Sequence, residues 1–317
     1  MINDYGYDIN IYNNSIDQTY NLLSKFLNGG HLGLFLGAGA SKAIRLPDWN
    51  EFVISICTKE LSPFDSTKSY TNADLKELIS RVKDKYDEDE DEYLKIVKTH
   101  LYNKVKFNFK LAKKDLLIAL SSLMVGSQRG TIKNVVSLNF DSVLEWYLSI
   151  LGLSVNVITK TQLLQTAADV NITHIHGFLP YDASYGENTT IIFSSQDFEN
   201  RLVSDYDYWK DYYIEFFRRH IFLSIGVSAA SLLQDVRPYL HNLDEWYHHQ
   251  GIKRLQPYGI AFLSKDTDDA QRDKLAKMGI ISHRFKHTGV PEAVFKVVQK
   301  AAKDVSPKPS ASIRASL

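Results

Sequence analysis

Three short groups of residues in this chain have the types that carry out chemistry. Gly37-Ala38-Gly39-Ala40-Ser41 follows one apolar run, Asn139 and Asp141 follow a second, and His174 and His176 end a third. Glycines let the backbone approach a ligand closely, and amides at a strand-to-helix turn can hold a pyrophosphate. The segment lacks the third glycine of the dinucleotide fingerprint and the spacing of a phosphate-binding loop with its lysine. By itself it is therefore a weak indication of a nucleotide site, and it does not predict an ATPase.

The other polar groups each allow a structural interpretation as well as a functional one. Asn139 or Asp141 could cap a helix that begins near Asp141, because both residue types are favoured there. His174 and His176 alternate along a strand, so their side chains point to one face and a two-histidine metal site is conceivable. No cysteine or acidic residue nearby completes such a site. We therefore expect no metal and interpret His174 as a hydrogen-bonded structural histidine.

Apolar periodicity predicts the elements that must position these residues. Short buried runs alternate with helical patterns, which indicates an α/β fold, Rossmann-like, with a mostly parallel sheet and helices on both faces. Strands are predicted at 32–36, 134–138, 173–175, 190–193, 222–225, 258–263 and 280–285. Helices are predicted at 15–28 and 47–61, from Asp141, Ser195, Asp207, Asp266 and Pro291, and through Trp246.

One region breaks this alternation. Between Asp74 and Met124 the pattern is helical throughout, with an acidic run at 87–92 that we interpret as a solvated helix end or loop. We expect a helical insertion at about 62–130 within a single nucleotide-binding domain spanning 1–305. The polar, proline-rich segment 306–317 is predicted to be disordered.

Composition excludes several classes of protein. Of the 317 residues 44% are hydrophobic and 23% charged, which is typical of a globular protein. Lys plus Arg and Asp plus Glu both number 37, so no overall field draws the chain to nucleic acid or anionic lipid. With Cys57 as the single cysteine, neither an internal disulfide nor a multi-cysteine zinc site can form. No signal peptide or membrane-spanning run is evident, and we expect a cytoplasmic protein without membrane or direct nucleic-acid binding.

Further residues after the glycine turn make its pattern more specific. Leu46-Pro47-Asp48-Trp49 follows the Gly-Ala-Gly-Ala-Ser segment at a spacing that resembles the signature of sirtuins. Ser137-Leu138-Asn139-Phe140-Asp141 resembles the sirtuin Gln-Asn-x-Asp segment, His174-Ile175-His176-Gly177 resembles its catalytic His-Gly, and Ile225-Gly226-Val227-Ser228 resembles the loop that closes on the cofactor phosphates. Four motifs thus occur in the expected order, although Arg45 and Asn50 stand where sirtuins usually have glycine and arginine.

The resemblance implies a set of site residues. Asn139 and His176 would be catalytic, the histidine by accepting a proton from a ribose hydroxyl or from water. Asn139 has both donor and acceptor groups to hold ribose hydroxyls and a water. NAD would be bound by Gly37, Ala38, Gly39, Ser41, Asp48, Trp49, Asp141, Gly226 and Ser228, with Asp141 on the nicotinamide carboxamide. Trp49 is equally consistent with a core residue and with a wall near the nicotinamide.

The departures from the family narrow the implied reaction. Protein-deacetylating sirtuins carry a four-cysteine zinc module after the His-Gly motif, whereas residues 178–193 here contain no cysteine. The helical insertion would replace that module, so we do not expect deacylation to be the main activity. Without an acyl group, water is the nucleophile, so the implied activity is an NAD glycohydrolase that releases nicotinamide and ADP-ribose. No residue near the glycine turn is clearly suited to bind a ribose 2′-phosphate, so NAD rather than NADP is the default substrate.

This pattern also resembles the sirtuin-like effectors of bacterial antiphage defence, which deplete NAD. Such an enzyme must be restrained in its host, so we expect a homo-oligomer or a partner protein such as a HerA-type ATPase. Two alternatives stay open: a subunit that senses NAD or ADP-ribose without turnover, and a protein deacylase or ADP-ribosyltransferase.

Two other groups of residues carry weaker signals. The segment Asp244-Glu245-Trp246-Tyr247-His248-His249 is consistent with a metal site but is better explained as an exposed helix with ion pairs. The aromatic-rich segment 206–217 predicts core packing or a subunit interface rather than base stacking, because basic residues are scarce in it.

Overall fold

A parallel sheet of seven strands organises the computed structural model, which describes residues 7–42, 45–86, 89–126, 129–159, 167–189, 191–193, 197 and 208–305. Its strands are short, and those in the middle of the sheet are almost entirely buried, as expected of strands covered on both faces. They are β1 (Leu32–Leu36), β2 (Asn134–Ser137), β3 (Val155–Ile158), β4 (Val170–His174), β5 (Ile221–Ile225), β6 (Gly259–Ser264) and β7 (Ile280–Phe285).

The strand order is β3-β4-β2-β1-β5-β6-β7, and every pairing is parallel. The chain therefore moves outward from β1 in one direction and then in the other, which is the doubly wound, Rossmann-like arrangement predicted from the sequence. In such sheets ligands bind outside the carboxyl ends of the strands where the order reverses. That point lies at β1, with β2 on one side and β5 on the other.

Helices cover the sheet and form a separate layer beside it. Those described are α1 (Ile9–Asn13), α2 (Ile16–Asn28), α3 (Ala38–Lys42), α4 (Trp49–Glu60), α5 (Asn72–Asp84), α6 (Glu90–Tyr102), α7 (Phe109–Ala112), α8 (Asp115–Ser122), α9 (Val143–Ile150), α10 (Tyr208–Arg219), α11 (Ala229–Ser231), α12 (Arg237–His249), α13 (Asp269–Lys277) and α14 (Val290–Val305). A π-helical turn at Leu232–Val236 joins α11 to α12.

Alternation of side chains along the strands divides the core in two. Leu34 of β1 points to the face covered by α2, α8 and α14, whereas Phe35 points to the face covered by α10, α12 and α13. Aromatic side chains of α10, including Trp209, Tyr213 and Phe216, are buried on the second face. The prediction of core packing for this aromatic segment is confirmed for the residues described.

The predicted helical insertion contains α5 to α8, and the described residues between 62 and 126 include no strand. Helices α4 to α6 and part of α8 form a third apolar cluster, to which Phe140 and Phe193 also belong. Ile79 of α5 and Val97 of α6 are fully buried within it. We refer to α4 to α7 as the cap.

Three details differ from the predictions. Helix α4 begins at Trp49 with Asp48 as its N-cap, so Pro47 precedes the first turn instead of lying within it. Strand β3 has no counterpart among the predicted strands, because its residues are mostly half-buried at a sheet edge and include a polar Asn156. Residues 191–193 form no strand, since Phe193 packs into the cap cluster without joining the sheet.

Other expectations fall on residues outside the described ranges. These are Thr190, the helix starts at Ser195 and Asp207, Tyr206, the acidic pair Asp87 and Glu88, and the segment 306–317. In the described part of the chain no helix is long and apolar enough to cross a membrane.

Candidate functional site

The glycine turn after β1 packs directly on the turn after β5. The amide of Gly37 donates to the carbonyl of Ile225 at 3.1 Å, and that of Gly39 donates to the carbonyl of Gly226 at 2.8 Å. A Cβ atom on Gly37 or Gly39 would lie within 3 Å of Gly226 atoms. The glycines are thus required for two loops to approach each other, a structural role that the sequence alone did not reveal.

Gly226 is the most constrained of these residues. Its φ of +75° lies in the left-handed region, and a Cβ there would lie 2.1 Å from the amide nitrogen of Ala40. The bonds between the two loops and the turn at Ala40 use the amides of Gly37, Gly39 and Ala40. The amides of Ala38, Val227 and Ser228 are not used in these bonds and are therefore candidate donors to a phosphate.

Asn139 lies just beyond β2 and is tied to the same turn. Its Nδ2 atom is 3.1 Å from the carbonyl oxygen of Gly37 and 2.8 Å from the hydroxyl of Ser41. Because a carbonyl oxygen can only accept, the amide nitrogen must face Gly37 and the amide oxygen must point away from it. That oxygen accepts no hydrogen bond from any described residue, and the side chain is half-buried at the carboxyl edge of the sheet.

Asp141 accepts the last bond of a series of hydrogen bonds that runs from Asn139 through Ser41. The hydroxyl of Ser41 donates to Asp141 Oδ2 at 2.8 Å, and the amide of Val143 donates to Oδ1 at 3.1 Å. The carboxyl is only 7% exposed, and this burial raises its pKa, although the bond from Ser41 acts in the opposite direction. Asp141 therefore supports Ser41 and the start of α9, and its contact with a carboxamide stays a prediction.

His174 confirms its expected structural role. It is 1% exposed, with Nδ1 2.8 Å from the carbonyl oxygen of Asn139 and Nε2 2.6 Å from Glu145 Oε1. Burial alone would lower the pKa of His174, but the carboxylate of Glu145 and the carbonyl of Asn139 outweigh it and raise the pKa. The pair fixes the backbone of Asn139 from beneath the site.

Sequence reasoning missed Glu145, although one signal was present. It is the single carboxylate within the apolar sequence of α9, and it is 2% exposed. Its second oxygen, Oε2, is buried without a hydrogen-bond partner among the described residues. A lone acid on an apolar helix face indicates a buried partner, here the imidazole of His174.

His176 lies on the neighbouring strand end. Ser137 of β2 is in register with His174 of β4, so Asn139 and His176 each stand two residues beyond a matched pair. Adjacent parallel strands are about 4.8 Å apart, which makes these residues neighbours at one edge. His176 is half-buried, and its carbonyl accepts from the amide of Ile192 at 2.7 Å. Gly177 follows with a φ of +100°.

Asp48 and Trp49 stand where the cap begins. Asp48 caps α4 in a capping box with Glu51, and its carboxylate is 2.5 Å from the ammonium of Lys42. Burial alone would raise the pKa of Asp48, but the amide of Glu51 and the charge of Lys42 hold it below its usual value. Trp49 is half-buried and meets the ring of Phe193 edge-on at 5.1 Å.

Two further residues, the predicted Ser228 and the unexpected His287, lie at the carboxyl edge of the sheet. Ser228 caps α11 by accepting from the amide of Ser231 at 3.0 Å. His287, in the loop after β7, lies with Nε2 3.0 Å from the carbonyl oxygen of Gly39. No sequence signal pointed to His287, because it is far from every motif in the chain.

Arg45 explains one departure from the sirtuin pattern. Its φ of +75° is left-handed, so the position retains the conformation for which glycine is the usual residue.

Among the described residues no group of three or more His, Cys, Asp or Glu side chains is arranged to hold a metal ion. In the segment 244–249, the carboxylate of Asp244 accepts a hydrogen bond from the hydroxyl of Tyr258, and Glu245 pairs with His241 one turn earlier on the same helix.

Comparison with known proteins finds a family model that matches part of the chain. Residues 133–282 match the family model of the SIR2-like domain. This range contains Asn139, His176, Gly226 and Ser228, whereas the glycine turn at Gly37 lies before it. No curated protein matches the chain.

Proposed function

We propose that this chain is an NAD glycohydrolase, because residues 133–282 match the model of the SIR2-like domain and NAD-related activities are typical of that sirtuin-like superfamily. The observation that carries this proposal is the position of Asn139 and His176, each two residues beyond the paired ends of adjacent strands. Both lie at the carboxyl edge of the sheet, next to the glycine turn that Asn139 itself binds. This is where a doubly wound sheet binds a nucleotide.

The residues present suit the substrate. Backbone amides of Ala38, Val227 and Ser228 would face the pyrophosphate, and the unpaired oxygen of Asn139 would accept from a ribose hydroxyl or from water. His176 would take the proton from the attacking water. The bond between nicotinamide and ribose breaks as the bond from water oxygen to that ribose carbon forms, so nicotinamide, ADP-ribose and a proton result.

The rigid support beneath Asn139 favours catalysis over simple binding. Its side chain is held by Gly37 and Ser41, and its backbone carbonyl by the buried His174 and Glu145 pair. An enzyme gains from such fixed groups because they need not reorganise during the reaction. A module that only senses NAD would need the glycine turn but not this support.

Chromatography of NAD incubated with the purified protein tests the activity directly. We expect nicotinamide and ADP-ribose in equal amounts from the wild type and their loss in Asn139→Ala and His176→Ala. His241→Ala removes an exposed histidine elsewhere and should retain full turnover. If both site variants turn over NAD like the wild type, the assignment of these residues is wrong. NAD binding without turnover by the wild type would instead favour a sensing subunit, and a modified peptide would favour a deacylase or transferase.

We further propose that the protein depletes NAD as an effector of antiphage defence in the cytoplasm, restrained by oligomerisation or by a partner such as a HerA-type ATPase. An unrestrained NAD hydrolase would harm its own host. Expression of the chain alone and with its partner should therefore differ in cellular NAD content and growth. A lone chain that is fully active in vitro and yet harmless at high expression contradicts this proposal.

A further inference from the structure

A groove between α12 and α13 lies outside the site described above. It has a volume of about 320 Å³, within the range of small-molecule sites. Its floor is apolar and consists of Leu233 from the π-helical turn, Leu240 of α12 and Met278 at the end of α13. Leu240 is 1% exposed, while the other two are half-buried and accessible from the groove.

The rim of this groove is basic. Arg237 projects from the first turn of α12, and Lys274 and Lys277 project from one face of α13, where residues three apart are neighbours. All three side chains are exposed. Within the described ranges none of them forms an ion pair or a side-chain hydrogen bond.

The other polar residues of the groove already have partners. Asp244 Oδ1 accepts from the hydroxyl of Tyr258 at 2.6 Å and lies 3.9 Å from Arg254 Nη1. His241 Nε2 is 3.3 Å from Glu245 Oε1. The carboxylate of Asp244 thus has a cation and a hydroxyl of its own, and three cations remain over an apolar floor.

We propose that this groove binds a small organic anion, in which a phosphate, sulfate or carboxylate group is attached to an apolar body. The apolar body would cover Leu233, Leu240 and Met278, and the anionic group would lie between Arg237 and the two lysines. Charge complementarity gives such a site selectivity for anions over neutral molecules of the same shape. The proposal does not depend on the NAD hydrolase activity.

Anilinonaphthalene sulfonate, an anion on an aromatic body, is a suitable probe, and its fluorescence reports binding to the full chain. We expect the double substitution K274Q/K277Q to raise the Kd of the probe at least about tenfold, equivalent to about 1.4 kcal/mol. The control K104Q/K106Q also removes two exposed lysines, but near the cap, and should change the Kd by less than about twofold. Thermal unfolding should be the same for the two double variants.

Two further measurements complete the test. Phenylnaphthylamine, the neutral counterpart of the probe, should bind at least about tenfold more weakly, because only the anion meets the lysines. Saturating NAD should leave the probe bound. An unchanged Kd in K274Q/K277Q, equal binding of the neutral compound, or displacement of the probe by NAD would each overturn the proposal.

Discussion

The carboxyl edge of the sheet and the cap are held together by different forces. At the edge, hydrogen bonds join the turns after β1, β2 and β5, and a Cβ on Gly226 would lie 2.1 Å from a neighbouring backbone atom. The cap is an apolar cluster in which side chains such as Ile79 and Val97 are fully buried. Directional bonds and backbone contacts tolerate little displacement, whereas packed apolar side chains can readjust. We therefore expect single substitutions to have large effects at the edge and graded ones in the cap.

The largest effect is expected from Gly226→Ala. The new methyl group meets the backbone of Ala40, and the left-handed φ adds about 1–2 kcal/mol of strain. We expect the free energy of unfolding to fall by more than about 3 kcal/mol in total, together with loss of NAD binding. Chemical denaturation measures the first quantity.

Gly152→Ala is the matched control for that substitution. Gly152 has a φ of +78°, but apart from its chain neighbours no residue has an atom within 4 Å of the position of its missing Cβ. The free energy of unfolding of Gly152→Ala should fall only by the strain that the left-handed φ adds, about 1–2 kcal/mol. Equal losses in the two variants would show that contact between the loops is unimportant.

Glu145→Gln should have the second largest effect, because it leaves His174 buried beside a weaker partner. Removing one member of a buried pair costs about 3–5 kcal/mol, and the conservative amide should cost about 1–3 kcal/mol. Denaturation at pH 6 measures this loss.

The same variant should change how stability depends on pH. The pKa of His174 is raised in the folded protein, so its contribution is fully present below the unfolded value of about 6.5 and is lost as the pH rises through the folded value. The difference in unfolding free energy between wild type and Glu145→Gln should therefore shrink as the pH is raised from 6 to 9. A difference that grows over this range would contradict the charged pair.

In the cap, Ile79→Val should have a smaller effect. Ile79 is fully buried, and removal of one methylene group costs about 0.5–1.5 kcal/mol. The Kd for NAD, measured by calorimetry, should stay within about twofold of the wild type. If Ile79→Val lost as much affinity for NAD as Gly226→Ala, substitutions in the cap and at the sheet edge would not differ in their effects as we expect.

Arg45→Gly should give the smallest change, and in the opposite direction. Glycine adopts the φ of +75° without strain, although it also makes the unfolded chain more flexible. We expect a net gain of about 0.5–1 kcal/mol in unfolding free energy, seen as a higher Tm. A lower Tm would mean that the side chain of Arg45 makes stabilising interactions.

Local sequence predicts most of the fold. The runs that form β1 and β5 are evident because strands buried on both faces are almost continuously apolar. The half-buried edge strand β3 lacks that signal. At Phe193 the apolar run predicts a strand, although the side chain packs in the cap, because periodicity does not distinguish the two environments in so short a segment.

The candidate site also has one part that the sequence predicts and another that only the tertiary structure shows. Residue types and their order in the sequence are enough to predict Asn139, His176 and the glycine turn as site residues, because each belongs to a short motif at a strand end. Only the tertiary structure decided that Gly226 packs on Ala40, that Glu145 holds His174 and that His287 reaches Gly39. These contacts join residues far apart in the chain, and their positions depend on strand order and helix packing, which no local pattern encodes.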